Sequence, residues 1–438
     1  MSIDIRRQQV YTGKRFSPIN FKLEIIGVRA NNSRGRGPGQ DMTDFTRTKS
    51  RFTIPDGMIY LDGNSLGPLP VAAADRVGRM ISEEWGKHLI KGWNVAGWMT
   101  QPRRVGDRIG RLIGAAEGTV VVGDTLSIKV YQALAAALAL NPSRRVILSD
   151  TGNFPSDLYI ASGLLESLDR GYALKVVAPE DVEAAIDETI AVLMLTEVDY
   201  RTGRLHDMRA LTRRAHAAGA LTVWDLAHSA GAIPVELEAA EADFAVGCTY
   251  KYLNAGPGAP AFIYVAPDHA DTARPALSGW MGHHAPFAFD LDYRAGPGIE
   301  RMRVGTPPII AMAALDAALD VWDGVSMTDV RQASIALADL FIREVEGRCP
   351  ELALASPRDG KQRGSQVSFR HPDGYAIMQA LIARNVIGDF RAPDMIRFGF
   401  TPLYIGEAEV RAAVDIIAGV VANRRWDSAE YRKKALVT

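Results

Sequence analysis

From about residue 115 onward the chain repeats one pattern, a short apolar run rich in β-branched residues followed by a longer stretch with helical spacing. Such runs stand at Thr119–Val122, Arg145–Leu148, Leu174–Val177, Ala191–Leu195, Leu221–Trp224, Phe244–Cys248 and Ala261–Val265. They are continuously apolar rather than alternating, so both faces of each strand need cover. This predicts a mostly parallel sheet with helices on either side. One intervening helix is sharply delimited, with Asp207 as N-cap, Met208, Leu211, Ala215 and Ala218 on one face, and Gly219 as the stop. After roughly residue 320 the chain reads as helix, a strand near Gln366–Phe369, helix, strand and a final helix, a second and smaller α/β unit. Ligands of open α/β sheets bind beyond the carboxyl ends of the strands, so polar residues directly after strands are the candidates for chemistry.

A length of 438 residues with 47% hydrophobic content supports two or three domains. The expected division is a flexible extension at 1–41, an N-terminal segment at 42–110 serving the active site and the small domain, a large domain at 111–320 and a small domain at 321–438. The extension is rich in Arg and Lys, and Asn31–Gln40 is polar and rich in Gly and Arg. It reads as a native extension, a leader or a misassigned start, because Met42 opens a stretch resembling an ordinary enzyme N-terminus. Lys plus Arg total 50 against 51 Asp plus Glu, which offers no electrostatic reason to expect nucleic acid or an anionic membrane as partner. A small-molecule ligand is expected instead. No apolar run reaches about 18 residues, so no transmembrane helix is expected. The two cysteines, Cys248 and Cys349, lack CxxC spacing, which argues against a zinc site or a disulfide framework and suits a reducing cytoplasm.

The run Leu221–Trp224 ends in Asp225, with His228 three residues on, and the run Phe244–Cys248 leads into Thr249, Tyr250 and Lys251. An Asp and a Lys at nearby strand ends are what a pyridoxal cofactor requires. The lysine forms the Schiff base, and the carboxylate keeps the pyridine nitrogen protonated. Either residue alone reads first as a turn residue or a solvated charge. Together, and followed by the small residues of Asn254–Pro260, which permit close approach of backbone to ligand, they read as a site.

The segment GCTYKYLNAGPGAPAFIYV (Gly247–Val265) resembles the pyridoxal-lysine segment of kynureninases, fold-type-I PLP-dependent enzymes of the aspartate aminotransferase superfamily. Collinear matches accompany it: YLDGNSLGPLP (Tyr60–Pro70), NFPSDLYIASGL (Asn153–Leu164), YRTGRLHDM (Tyr200–Met208), VWDLAHSAGAIPVEL (Val223–Leu237), GTPP (Gly305–Pro308) and VIGDFRAPDMIRFGFTPLY (Val386–Tyr404). The resemblance spans about residues 45 to 420.

It implies pyridoxal 5'-phosphate as cofactor and hydrolysis of L-kynurenine to anthranilate and L-alanine, with the 3-hydroxy derivative a poorer substrate. It implies that Lys251 carries the cofactor and moves protons, that Asp225 meets the pyridine nitrogen, and that His228 lies against the same ring. Phe154 would stack on the ring, with Asp157 closing the pocket, and Leu126 and Ser127 would form the phosphate turn at a helix N-terminus. Tyr250 and Trp280 would be further phosphate contacts, with Tyr250 also an acid–base group. Trp280 and Thr306 would reach in from a second subunit, making the enzyme a homodimer with shared sites. Arg397 would bind the substrate carboxylate, a task suited to a planar guanidinium. Ser65, Trp93 and Thr306 would complete the substrate pocket. Trp93 and Thr306 stand where the animal enzymes generally carry His and Asn, which favours kynurenine over its hydroxylated form.

Two positions depart from the family's usual pattern, Lys129 in place of Asn and Met281 in place of Phe. The competing enzyme reading is a cysteine desulfurase or selenocysteine lyase, which needs a reactive cysteine on a mobile loop. The expected positions of Cys248 and Cys349 disfavour it.

Overall fold

Each of the seven apolar runs forms a strand of one sheet: β1 (Val120–Val122), β2 (Val146–Asp150), β3 (Ala173–Val177), β4 (Ile190–Thr196), β5 (Leu221–Asp225), β6 (Phe244–Gly247) and β7 (Phe262–Val265). The computed structural model describes residues 42–434, so the extension read at 1–41 lies outside the described residues. The strand order is β1-β7-β6-β5-β4-β2-β3. Neighbours from β6 to β3 pair in parallel, while β7 runs antiparallel to both β6 and β1. Six strands therefore share one direction and β7 alone is reversed. Burial explains the composition. Every residue of β4, an inner strand, is buried, whereas β3 at the edge has only exposed and half-exposed positions and carries Lys175.

The helices that concern the site are α1 (Val71–Arg79), α2 (Gln101–Leu112), α3 (Leu126–Leu140), α4 (Pro155–Leu168), α5 (Met208–Ala217), α6 (Ile309–Leu319), α7 (Met327–Arg348), α8 (Gly374–Ile382) and α9 (Glu407–Ala422). Helix α5 begins and ends as its sequence dictates: the Asp207 carboxylate accepts from the Ala210 N–H at 2.9 Å, and Gly219 takes φ +78° just beyond it. The opposite faces of the large sheet bury two apolar clusters. One contains Trp224, Phe262 and Leu148, the other Phe244, Ile147 and Val223, as the period-two alternation of strand side chains requires.

A second sheet has order β8-β9-β11-β10, built from β8 (Ala353–Leu354), β9 (Gln366–Arg370), β10 (Asp389–Arg391) and β11 (Met395–Gly399), all pairs antiparallel. The short edge strands β8 and β10 escape the sequence reading because two or three residues carry no periodicity. The segment before the large sheet touches both parts. Ile59–Tyr60 pairs in parallel with Val386–Ile387, and the Gly67 N–H donates to the Tyr250 carbonyl at 2.8 Å.

Candidate active site

Strand β5 ends in Asp225, whose buried carboxylate accepts the Ala227 N–H at 2.8 Å. Facing it is Asp157, in the first turn of α4, also buried. Burial raises the Asp225 carboxyl to about 6, with Lys251 pulling it back down. Burial and then the neighbouring Asp225 charge push Asp157 well above the usual carboxylate range. Two adjacent carboxyls out of water cannot both ionise readily, so the pair holds a proton between them, with Asp157 the stronger proton holder. The Asp157 Oδ2 atom is buried without a partner.

Lys251 follows β6 in a loop held by the N-terminal segment. A side chain at position 67 would collide with the Lys251 carbonyl, 2.4 Å from a Cβ placed there, so Gly67 lets the two backbones touch. The Lys251 Nζ lies 2.9 Å from His228 Nε2, and His228 Nδ1 lies 3.1 Å from Gln366 Oε1. Burial, reinforced by Lys251, drives the His228 pKa well down, so the imidazole is neutral. Gln366 Oε1 can only accept, which places the ring proton on Nδ1 and leaves Nε2 to accept from Lys251. Gln366 is anchored in turn by its amide to the carbonyls of Asp199 and Tyr200 at 3.2 and 3.0 Å. The same Nζ sits 5.9 Å from the Phe154 ring centre and 5.8 Å from that of Tyr250. Phe154 is 42% exposed, a large aromatic left open beside the lysine, and its ring meets Tyr200 edge-on at 5.1 Å. Burial, then Cys248, raises the Tyr250 pKa, so it remains a phenol.

Helix α3 starts at Leu126 with no side-chain cap, and the Ser127 and Ser156 hydroxyls meet at 3.1 Å, bringing the N-termini of α3 and α4 together. Lys129 is fully buried. Its Nζ bonds Asp124 Oδ2 at 3.1 Å, Gln132 Oε1 at 2.9 Å and the Met302 carbonyl at 3.2 Å, so its charge is spent within the protein. Thr306 lies near the same turn, around a small recess shared with Gly123, Asp124, Lys129 and Arg303 of its own chain.

Arg397, on β11, is buried and tightly bonded. Its Nε donates to Asp389 Oδ1 at 2.8 Å, its Nη2 to Asp389 Oδ2 and to Ser65 Oγ (2.9 Å), and its Nη1 to the Tyr200 carbonyl. Burial alone would raise the Asp389 carboxyl, but Arg397 holds it below the usual range. Arg391 Nη2 joins the cluster at 2.6 Å from Asp389 Oδ2.

Trp93 and Trp280 stand in other clusters. Trp93 meets Trp98 edge-on at 5.9 Å beside Ile309 of α6, and Trp280 meets Phe287 at 5.8 Å in a recess lined by His283 and Tyr293. Met281 is buried next to Trp280. Sequence reasoning passed over Asp389, Arg391, Gln366 and Tyr200. Asp389 and Arg391 lay within a quoted motif, but only their bonds to Ser65, more than 320 positions earlier, distinguish them from ordinary strand charges. Both cysteines are free and buried, and burial pushes the Cys349 thiol to about 11 and raises that of Cys248. Neither is the exposed, low-pKa thiol that desulfuration requires.

Residues 330–417 match the family model described as the kynureninase C-terminal domain. A kynureninase of Pseudomonas fluorescens is 51% identical over 397 residues, covering 89% of this chain and 95% of its own, and one from Burkholderia pseudomallei (strain 1106a) gives the same figures. Among solved structures, a cysteine desulfurase from Thermococcus onnurineus NA1 superposes with a TM-score of 0.73 at 19% identity, covering 87% of this chain and 99% of that one. A C-DES mutant with glycine covalently linked to its PLP cofactor gives 0.71 at 18% identity, covering 84% and 98%. At such identities these structures show the shared fold-type-I architecture and nothing finer.

Proposed function

The chain belongs to the kynureninase family, and from that premise we propose how its site works: with pyridoxal 5'-phosphate as cofactor, it splits L-kynurenine with water into anthranilate and L-alanine. The observation that carries this reading is the convergence of Lys251, neutral His228, exposed Phe154 and the Asp157–Asp225 pair at one sheet edge. The residues fit the cofactor. Lys251 is positioned to hold its aldehyde carbon, Phe154 offers a ring face, and the carboxyl pair, with its unpartnered Asp157 Oδ2, suits a protonated pyridine nitrogen. The uncapped start of α3 at Leu126 and Ser127 supplies N–H groups for a phosphate, and Tyr250 is a further contact. When bound, pyridoxal phosphate supplies a carbonyl for Schiff-base exchange and an electron-poor ring that stabilises negative charge on the substrate's α-carbon.

The chain's own groups do the rest. Arg397, held rigid by Asp389 and Ser65, orients the substrate through its carboxylate. Lys251, once free, takes the α-proton and returns it, with neutral His228 accepting a hydrogen bond from its amine at 2.9 Å. Water adds to the side-chain ketone. The Tyr250 phenol, kept protonated by burial, exchanges a proton with the resulting hydroxyl as the Cβ–Cγ bond breaks and the aryl acid departs. The remaining three-carbon fragment takes up a proton and leaves as L-alanine. Trp93 and Thr306 shape the aryl pocket and favour kynurenine over its 3-hydroxy derivative.

The functional unit is a homodimer, with Trp280 and Thr306 completing the partner's site. An apolar groove of about 920 Å³ beside Lys251's loop, bordered by exposed Leu69 and Ile310, is the surface a second copy would cover. Two free cysteines suit a cytoplasmic setting. Among the described residues no helix is long and apolar enough to cross a membrane.

The test is to supply pyridoxal phosphate and L-kynurenine and follow anthranilate fluorescence together with alanine. Equal release of both, and loss of the bound cofactor's absorbance in Lys251→Ala, are expected. A cofactor-loaded protein that yields neither product refutes the assignment.

A further inference from the structure

We propose that Arg391 is a second carboxylate ligand for the amino-acid substrate, working beside Arg397; this rests on the reading of the site given above. Arg397 has few donors left. A guanidinium carries five N–H groups. Of those on Arg397, Asp389 takes two, Ser65 one and the Tyr200 carbonyl one, leaving a single N–H on a side chain only 1% exposed. A fork-to-fork grip on a carboxylate needs two.

Arg391 is in the opposite condition. Its Nη2 bonds Asp389 at 2.6 Å and reaches Ser65 Oγ at 3.3 Å, which ties it to the same cluster. Its Nε is buried without any partner, its Nη1 is uncommitted, and its side chain is 38% exposed. The guanidinium therefore keeps unspent donors on a side chain that is partly open to solvent, unlike that of Arg397. The cluster it belongs to adjoins the reacting centre: the Tyr200 carbonyl that accepts from Arg397 also accepts from the Gln366 amide, and Gln366 bonds His228, the partner of Lys251. Asp389 then has a definite task. One carboxylate, bonded to both arginines, holds two like charges together, and an incoming carboxylate is the natural counter-ion for their unspent donors. Arg397 supplies one N–H and Arg391 the remainder.

The test uses the cofactor-loaded enzyme and two ligands that differ only in the carboxylate, L-alanine and ethylamine, with dissociation constants read from the change in cofactor absorbance. Arg391→Gln is expected to weaken L-alanine by about 10- to 100-fold, the range for hydrogen bonds to a charged group, and to leave ethylamine within about twofold. Arg391→Lys keeps the charge but not the fork and is expected to fall between. In turnover, the KM for L-kynurenine rises while kcat stays within a few-fold. Equal weakening of both ligands means that Arg391 only props the fold, and no weakening means that Arg397 suffices; either result overturns the proposal. Arg391→Lys decides the matter on the same two ligands if Arg391→Gln does not fold. Because alanine binding is read apart from turnover, a wild-type enzyme that binds alanine but does not split kynurenine would refute the catalytic reading while still deciding the role of Arg391.

Discussion

The amine of Lys251 lies 2.9 Å from Nε2 of His228, an imidazole whose other nitrogen is fixed by Gln366, itself anchored to the backbone at Asp199 and Tyr200. The lysine is thus aimed by a chain of hydrogen bonds that begins on β9 in the second sheet. That chain makes the neutrality of His228 a functional matter, since a protonated ring could not accept from the amine.

His228→Phe removes the acceptor and keeps a ring of similar size. We expect the cofactor's absorbance to persist, because Lys251 remains, while kcat falls by about tenfold or more because the proton-transferring amine loses the acceptor that aims it. Gln366→Ala should act in the same direction and more weakly. Steady-state rates alongside the absorption spectrum check both, and an unchanged kcat in His228→Phe would remove the histidine from the mechanism.

The two buried carboxyls should respond differently to amidation. Asp157 already holds its proton most firmly, so Asp157→Asn changes little of the charge and should cost less than about tenfold in kcat/KM. Asp225→Asn deletes the negative charge itself and should cost roughly 100-fold or more. Equal losses in the two variants would show that the proton is not shared in this way.

Acid stability should depend on Asp243, at the opposite end of the sheet. Burial would raise its carboxyl, but hydrogen bonds from His216 and His269, each 2.8 Å long, together with Thr222 hold it at about 2 against an ordinary value of 3.8. A depressed carboxyl stabilises the fold fully above about pH 4, and that contribution is lost as pH falls toward 2. The shift corresponds to about 2 kcal/mol. His216, raised by the same contact, contributes below its ordinary value of 6.5 and loses that contribution as pH rises through the folded value. Denaturant unfolding of Asp243→Asn should therefore lie about 2 kcal/mol below wild type near pH 5 and converge with it toward pH 2. A gap independent of pH would assign the loss to packing instead.

The sequence by itself determined the large sheet, because all its strands except edge strand β3 must be apolar on both faces and nothing else reads that way between the helices. All seven runs are strands, within a residue or two at their ends, and the Asp207 cap and Gly219 stop of α5 are where local backbone chemistry puts them. The placing of Asp225 at the end of β5 and of Lys251 in the loop after β6 was legible for the same reason: polar residues that close or soon follow an apolar strand are conspicuous at that end of the sheet. The resemblance to kynureninases added the family and a set of roles that local pattern could not carry.

What only the tertiary structure decided was how those groups are charged and supported. Proton sharing between Asp157 and Asp225 follows from burial, and burial is a property of what packs around a residue, not of its neighbours in the chain. The bond from Gln366 to His228 crosses 138 positions, and that from Ser65 to Arg397 crosses 332. Asp389 and Arg391 sit in a three-residue edge strand with no periodic signature, and their standing comes from the oxygen and nitrogen atoms that other segments bring to them. A hydrogen bond is short-ranged and directional, so a sequence can name its donors and acceptors, but only the packed chain selects which of them meet.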